Sequence, residues 1–551
     1  MLLTSAEAVS ATLLSFQAFA IFCAYFTDWV GLTISPAVTL AAALGFSLVT
    51  FLRLRRHASR AWADLGGYVA IVAAAGASLL WLQWPDLLLP GGGDDLTHHL
   101  QLVDYIDRHW RLVHDPPIEA YLGEMVHYTP GSHLLASLAG RWTGSDGFHA
   151  VYTVLVVSTA LKVGLVFLIA RRSVQAPLPF ALLAPVLLLL PSAFSLESFT
   201  RYSYVAQVVS EYFAVSAWWA VVAWNDRPSR LALVVFAVSG AASFLTWPVF
   251  AGPPVAALAV TIAWRSDVDV RTRTRSLLLA TAPIAIVAAI HSSGRLGWTR
   301  IVKTSADMAV PALGSFSWPF LALAAAGLVI AIGRGRARAT TLLTAAVAVQ
   351  ALTLFLLARA DGAAVPYMAI KMAYLVIYPL AVCGAITIGM LWSWTVKRIS
   401  GGHLEGVAAS AAAAVLCLVI LRATVPIARQ TPTVSEPLYL AGRWARDNVP
   451  DPACVDYIVT DVHTAYWLHL AVLGNRRMAA RTADDRTFDP REQIIRWINP
   501  GGLPYAVADL AAVPKDVLAE NEELARFGSA VVIKRRGPTA GCEPYLALSW
   551  P

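Results

Sequence analysis

Long apolar runs separated by short polar turns dominate the chain. Thirteen stretches read as membrane spans, near 8–26, 34–52, 65–89, 150–170, 177–191, 203–224, 231–249, 252–264, 277–291, 318–333, 341–358, 366–392 and 404–425. A span takes about 20 mostly apolar residues, so short stretches such as 177–191 leave 11–13 crossings as the range. The stretches around Trp247-Pro248 and Pro253-Pro254 are interrupted. Broken helices at membrane depth face protein or a wet cavity, and this pair is expected to border an internal hollow. Two regions are too polar to span, the loop 90–149 and the tail 426–551. The expected organisation is a transmembrane unit, 1–425, and a small α/β domain, 426–551. Within the tail, 454–459 and 530–533 read as strands. Asp489-Pro490 reads as the N-cap and first residue of a helix that Asn499-Pro500-Gly501-Gly502 ends.

Composition narrows the class. Of 551 residues, 57% are hydrophobic and 14% charged, against about 25% charged in an ordinary soluble domain. That excludes a water-soluble enzyme, a disordered chain and a fibrous repeat. The net charge of +7 does not point to nucleic acid, because the basic residues sit in short turns. With the N-terminus inside, the inner turns hold seventeen Lys and Arg and the longer outer loops before the tail hold eight, the bias that marks a cytoplasmic face. Thirteen crossings then put the loop 90–149 and the tail outside. There Cys454 and Cys542 are free to form a disulfide, whereas Cys23, Cys383 and Cys417 lie in apolar runs as packing residues. The first run has no basic segment before it, so no cleavable signal peptide is expected, and no internal repeat is visible.

The outer loop carries the candidate chemistry. Gly91-Gly92-Gly93-Asp94-Asp95-Leu96-Thr97-His98-His99 follows the third span directly. Leu96, Leu100, Val103, Ile106 and Trp110 then recur at spacings of 4, 3, 3 and 4, one apolar stripe on a helical period. Gln101, Asp104, Arg108 and Arg111 fall opposite. Such a helix is expected to lie in the interface with Trp110 at headgroup depth. Asp94 and Asp95 either cap it or include a catalytic carboxylate as well. Seven of the twelve histidines lie in this loop. His98 and His99 suit hydrogen bonds to substrate hydroxyls or to the interface. A divalent cation is a weaker alternative, since no spacing matches a rigid ligand motif. The run Tyr128-Thr129-Pro130-Gly131 reads as a re-entry turn with Ser132 capping the next helix, and Tyr128 and His133 are expected to line one pocket with Asp94.

An acidic pair in the first large outer loop, a juxtamembrane helix, a Tyr-x-Pro-Gly re-entry and a polar C-terminal domain resemble the type-C membrane glycosyltransferases. The likeness covers nearly the whole chain. Within that group the chain looks most like bacterial enzymes of cell-envelope polysaccharide assembly, including arabinofuranosyl- and mannosyltransferases, although two extra spans precede the loop. The resemblance implies a polyprenyl-phosphate sugar donor, a glycan or glycolipid acceptor, residence in the bacterial inner membrane, no obligatory cofactor, and Asp94 or Asp95 as base.

Such a transfer needs a base for the acceptor hydroxyl, a cationic partner for the departing phosphate and a groove for the prenyl chain. Lys371, buried early in a span, is one phosphate candidate; snorkelling or pairing with Asp361 would be its structural role. Arg201, at an outer helix end, is the second, with Glu197 or Glu211 as its structural partner. Glu197 and Glu211 are themselves substrate-binding candidates, and Glu124 or Glu197 is the fallback base. Lys162, nearer mid-span, reads as a buried hydrogen-bonding residue. The broken helices near 244–256 and Trp218, Trp219 and Trp224 would form the groove. Tyr457, Tyr466 and Trp467 serve equally as sugar platforms or core residues. The rival class is a glycolipid flippase or exporter, which predicts transport without sugar transfer.

Overall fold

The computed structural model describes residues 3–56, 58–91, 94–114, 122–174, 177–202, 204–295, 311–399, 405–424, 429, 431–475, 488–499, 502–539 and 541–542. In chain order its membrane unit contains α1 (Ser5–Trp29), α2 (Pro36–Arg55), α3 (Trp62–Gln83), α4 (Asp94–His109), α5 (Gly131–Thr143), α6 (Gly147–Val174), α7 (Leu178–Leu187) and α8 (Val205–Asp226). Then come α9 (Arg230–Thr246), α10 (Gly252–Ala263), α11 (Val270–Gly294), α12 (Trp318–Ile332), α13 (Arg338–Ala360), α14 (Tyr367–Ile399) and α15 (Glu405–Thr424). All thirteen expected stretches are therefore helical. Among the described residues eight are long and apolar enough to cross a bilayer (α1, α2, α3, α6, α8, α11, α13, α14), and five are shorter apolar helices. Leu44, Leu48, Leu278, Ile286, Leu352 and Leu356 point outward. Such faces are stable only against lipid. The chain is a multi-pass α-helical membrane protein.

The centre of the bundle is α8. It is apolar or small on every side, the pattern of a helix surrounded by others, and every residue from Val205 to Asn225 is buried. Trp218, Trp219 and Trp224 pack inside it, and the Trp219 indole donates to Glu7 at 3.1 Å. All three are buried core residues. At the end of the bundle holding the N-terminus of α1, Arg172 joins Glu7 and Asp226 at 2.7 and 3.2 Å.

The break between α9 and α10 follows from Pro248, which forces Trp247 into an extended backbone. The freed carbonyls find side chains: Ser210 donates to Trp247 O at 3.2 Å and Gln350 to Val249 O at 2.6 Å. Thr129 donates to Thr246 O at 3.0 Å, and a Cβ on Gly131 would meet Thr246 Cγ2 at 2.7 Å. The break thus docks onto the re-entry turn. Ser132 does not cap α5; Pro130 holds that position, with no side-chain cap bond.

The tail contains α16 (Glu436–Asn448), β3 (Val455–Ile458), α17 (Val462–Trp467), α18 (Pro490–Ile498), β4 (Tyr505–Asp509), α19 (Lys515–Glu520), β5 (Glu522–Phe527) and β6 (Ala530–Lys534), after the two-residue strands β1 (Leu3–Thr4) and β2 (Ala58–Ser59) near the start of the chain. The sheet order is β3-β4-β6-β5, with β3 parallel to β4 and the other pairs antiparallel. Alternation sends Ile458, Ala506, Ala508, Val531 and Ile533 to one face, a small core shared with Trp497 and Val517. Val455, Tyr457, Val507 and Val532 on the other face join the main core. Asp489 caps α18 as expected, accepting from Arg491 N at 2.8 Å. Cys454 and Cys542 form a disulfide.

Helix α4 does not lie as an interfacial helix with a solvated polar side. Its apolar stripe is buried from Leu96 to Ile106, but so are Gln101 (0% exposed) and Asp104 (1%) on the opposite side. The tail covers that side: Asp104 receives Arg443 at 2.9 Å, Arg446 at 2.7 Å and Arg108 at 3.1 Å. Periodicity shows that a helix has two faces, not what covers the polar one.

Candidate active site

Helix α4 begins at Asp94, which puts the two acidic residues in its first turn, where the helix dipole favours negative charge. Gly92, Gly93 and the Asp94 side chain lie outside the described residues. The Asp95 carboxylate is exposed (59%), with Oδ2 3.9 Å from His99 Nε2. Behind it, His99 Nδ1 meets His133 Nε2 at 2.9 Å, and Ser132 Oγ lies 3.4 Å from His133 Nδ1. Burial pushes the His99 ring below its ordinary range, against the pull of Asp95, and holds His133 well below it. Both rings are therefore neutral at neutral pH, and one donates to the other. The Tyr128 ring stands edge-on to His99 at 5.0 Å and 5.7 Å from Trp247. Tyr128, His99 and His133 thus form one wall beside Asp95, reached by the re-entry turn.

His98 points the other way along α4. Its Nδ1 is 2.9 Å from Glu124 Oε1 and its Nε2 3.1 Å from the Tyr466 hydroxyl. A carboxylate only accepts, so Nδ1 carries a proton; in the neutral ring Nε2 then accepts from Tyr466. The tail also holds the start of the glycine run. Thr433 donates to Gly91 O, Pro432 bridges Pro90, and Thr464 donates to Thr433 O at 2.7 Å. Asp461 caps the helix that carries both Thr464 and Tyr466. Tyr457, Tyr466 and Trp467 are core residues; Tyr457 bonds His469 Nδ1 at 3.0 Å.

Lys371 sits four residues into α14, with Tyr367 and Tyr374 at i−4 and i+3, hence on its own face. Its Nζ lies 2.9 Å from the centroid of Tyr204, 4.9 Å from that of Tyr367 and 5.3 Å from that of Tyr374. The residue is 1% exposed. It neither snorkels nor meets a carboxylate at ion-pair distance among the described residues; Asp95 and Glu211 are the carboxylates whose charge reaches it. Arg201 is exposed and pairs with Glu197 at 3.4 Å, the structural role foreseen for it. Its guanidinium lies 5.3 Å over Tyr202, which stacks on Tyr204 at 5.2 Å. The two cations therefore stand at opposite ends of one tyrosine pair.

Glu211 lies in the bundle core, where Lys162, Tyr378 (2.6 Å) and Gln207 (3.0 Å) occupy its carboxylate. Among the described residues no three His, Cys, Asp or Glu side chains converge as a metal site. Sequence reasoning missed Tyr204, Tyr367 and Tyr374 as site residues, and named Trp247 only as part of the helix break. The spacing Tyr367, Lys371, Tyr374 was a legible signal for two of them; Tyr204 arrives from another helix and carried none.

No protein-family model and no curated protein matches the sequence. Among solved structures, the chain is similar to the oligosaccharyltransferase AglB from Archaeoglobus fulgidus, in complex with an inhibitory peptide and a dolichol-phosphate, at 12% identity over 80% of this chain and 69% of that one, TM-score 0.48. It is also similar to ArnT from Cupriavidus metallidurans bound to undecaprenyl phosphate, at 14% identity over 85% of this chain and 97% of that one, TM-score 0.47.

Proposed function

We propose that this chain is a membrane glycosyltransferase that moves a sugar from a polyprenyl-phosphate donor to a glycan or glycolipid of the cell envelope. The observation that carries the reading is a buried ammonium, Lys371, surrounded by three tyrosine rings with no carboxylate at ion-pair distance among the described residues, yet within electrostatic reach of an exposed loop carboxylate, Asp95. An unpaired buried cation is costly, and an incoming phosphate would relieve that cost.

In this reading the acceptor hydroxyl oxygen attacks the anomeric carbon as the bond from that carbon to the phosphate oxygen breaks. The hydroxyl proton passes to Asp95 or Asp94, and the polyprenyl phosphate leaves with its electron pair beside Lys371 and, at the outer end of the tyrosine pair, Arg201. One displacement inverts the anomeric centre. His99, Tyr128 and His133 form the wall that sugar hydroxyls would meet beside Asp95, and His98 braces that turn of the helix from behind through Glu124 and Tyr466. We assign the loop 90–149 and the tail to the outer face of a bacterial inner membrane, with the N-terminus inside, on the bias of basic residues toward the opposite turns. The tail, 426–551, serves as an extracytoplasmic buttress of the loop.

The test is purified protein with a panel of radiolabelled polyprenyl-phosphate sugars, beside Asp94→Asn and Asp95→Asn. Sugar transfer or donor hydrolysis by the wild type, lost in at least one variant, is the expected result. Vesicle flipping of an intact glycolipid with no sugar released would replace this reading with the exporter, and a chelator arm reads out any divalent cation.

A further inference from the structure

A hollow opens at the same end of the bundle as α4, between the last turn of α1, Val113 and His114, Val126 and His127, and the end of α11. Its volume is about 440 Å³, within the size range of small-molecule sites. Two imidazoles stand on its wall. His291, 1% exposed, holds the Tyr25 hydroxyl at 3.2 Å through Nδ1 and bonds the His127 main chain, while His127 Nδ1 is buried without a partner among the described residues. Leaving a buried polar atom unpaired is costly. That cost persists in a fold when something else completes the bonds.

The electrostatics of the wall choose the kind of ligand. Asp28 faces the hollow, but its two oxygens already accept Leu112 N and meet His114 Nε2, both at 2.8 Å. Arg295 donates to Val113 O at 2.9 Å. Among the described residues the wall carries one carboxylate and one guanidinium, which offset each other, and this argues against a phosphate or carboxylate ligand. A free imidazole nitrogen donates in one tautomer and accepts in the other, and the group that matches either is a hydroxyl. Trp29, Val126 and Ile290 supply an apolar wall beside these polar atoms, the mixed surface that a sugar ring presents in turn.

The location ties this hollow to the chemistry. The turn Gly123–His127 sends Glu124 to His98 on one side and His127 into the hollow on the other, and the next residue, Tyr128, stands against His99. We propose that this hollow binds the acceptor, an uncharged saccharide held through its hydroxyls, so that its chain runs past the turn toward Asp95. The assignment rests on the glycosyl-transfer reading above.

Two measurements separate the failure of one from the failure of the other. Hydrogen exchange of the full chain in detergent is followed at residues 25–29, 126–128 and 288–294, with neutral oligosaccharides from envelope polysaccharide, with their carboxylated counterparts, or with inorganic phosphate. Protection by the neutral oligosaccharides alone is expected, lost in His291→Leu and in His127→Leu. Protection by phosphate or the acidic sugars instead, or by none of the three, overturns the proposal whether or not any sugar transfer is seen. In the kinetic arm, donor turnover splits between transfer to oligosaccharide and hydrolysis by water. His291→Leu is expected to lower the ratio of transfer to hydrolysis by about tenfold, through acceptor KM. An unchanged ratio in a folded variant also overturns it, whereas a wild type that never consumes donor defeats the glycosyl-transfer reading and leaves the exchange result to decide this one.

Discussion

Replacing Lys371 by methionine should leave the protein as stable as before, or more so, while removing most of its activity. The expectation comes from the balance around Nζ. Tyr204 lies in close contact at 2.9 Å, and Tyr367 and Tyr374 stand farther off at 4.9 and 5.3 Å. A desolvated cation–π contact is worth about 2 kcal/mol and a looser one about 0.5–1 kcal/mol, so the three rings together return about 3–4 kcal/mol. Burying an unpaired ammonium costs several kcal/mol. The sum is near zero or unfavourable until an anion arrives. Methionine keeps the length and apolar body of the side chain and removes the unfavourable charge. If the ammonium steadies the leaving phosphate, its loss should lower kcat/KM by about 10²–10³-fold, the usual cost of one well-placed electrostatic donor. Thermal unfolding in detergent gives the first quantity and donor turnover with a labelled polyprenyl-phosphate sugar the second. Lys371→Arg is the control: a planar fork does not fit a cage built around a point charge, so it should not restore full activity. The reasoning fails if Lys371→Met loses more than about 2 kcal/mol of stability, which would mean that the ammonium is already satisfied. It fails equally if turnover stays within about tenfold of wild type.

Three other outcomes follow from the loop and the tail. Asp104→Ala strands Arg108, Arg443 and Arg446 around a vacated carboxylate site; it should cost about 3–5 kcal/mol and raise hydrogen exchange in α4 and α16 together, and unchanged exchange in either would contradict the clamp. Tyr466→Phe removes one hydrogen bond to His98 without opening the core; a kcat decrease of about tenfold with little change in unfolding temperature is expected, and a purely thermal effect would reduce Tyr466 to a packing residue. Asp107 accepts the Gly147 amide at 2.8 Å, and burial pushes its carboxyl up to about 6, against the hydrogen bonds from Ser137 and Gly147. The folded state then holds this proton more tightly than the unfolded one, so stability should fall as pH rises from about 4 to about 6, by up to ~3 kcal/mol, and level off above. Asp107→Asn should flatten that slope and raise the unfolding temperature at neutral pH, and an unaltered pH profile would remove Asp107 as its source.

The membrane unit was legible because one rule governs it: an apolar run of about 20 residues has no alternative to a helix in lipid. The tail was legible only in part. β6 is a run of apolar residues, but β4 is alanine-rich, and β5, Glu522–Phe527, is a polar edge strand whose charged residues carry no period-two signal. The same limit governs the site. Spacing within α4 and α14 puts Asp95 near His99 and puts Lys371 between two tyrosines. Nothing local announces that Tyr204 closes the cage from the start of α8, or that Arg443 and Arg446 turn the polar face of α4 into a buried one. Cross-helix contacts are written in two places in the sequence, and a single chain does not reveal the pairing.

That distribution bears on how the tail and the loop act together. A simple appended domain would leave the loop's geometry alone. Here the tail reaches α4 and the chain leading into it at three separate points: Thr433 on Gly91 just before the helix, Tyr466 on His98 one turn in, and Arg443 and Arg446 on Asp104 nearly two turns farther. α16 also receives His149, at the start of α6, through Glu436 at 2.8 Å. A rigid element pinned at three points over the fourteen residues from Gly91 to Asp104 cannot shift without breaking a buried carboxylate clamp, so the position of Asp95 relative to Lys371 is set by the tail as much as by the helices of the bundle. A glycine run offers the backbone wide freedom; tethering it at Gly91 narrows that freedom immediately before the residues that need placing. Truncating the chain before Thr433 should therefore abolish turnover even where the helices of the bundle remain folded.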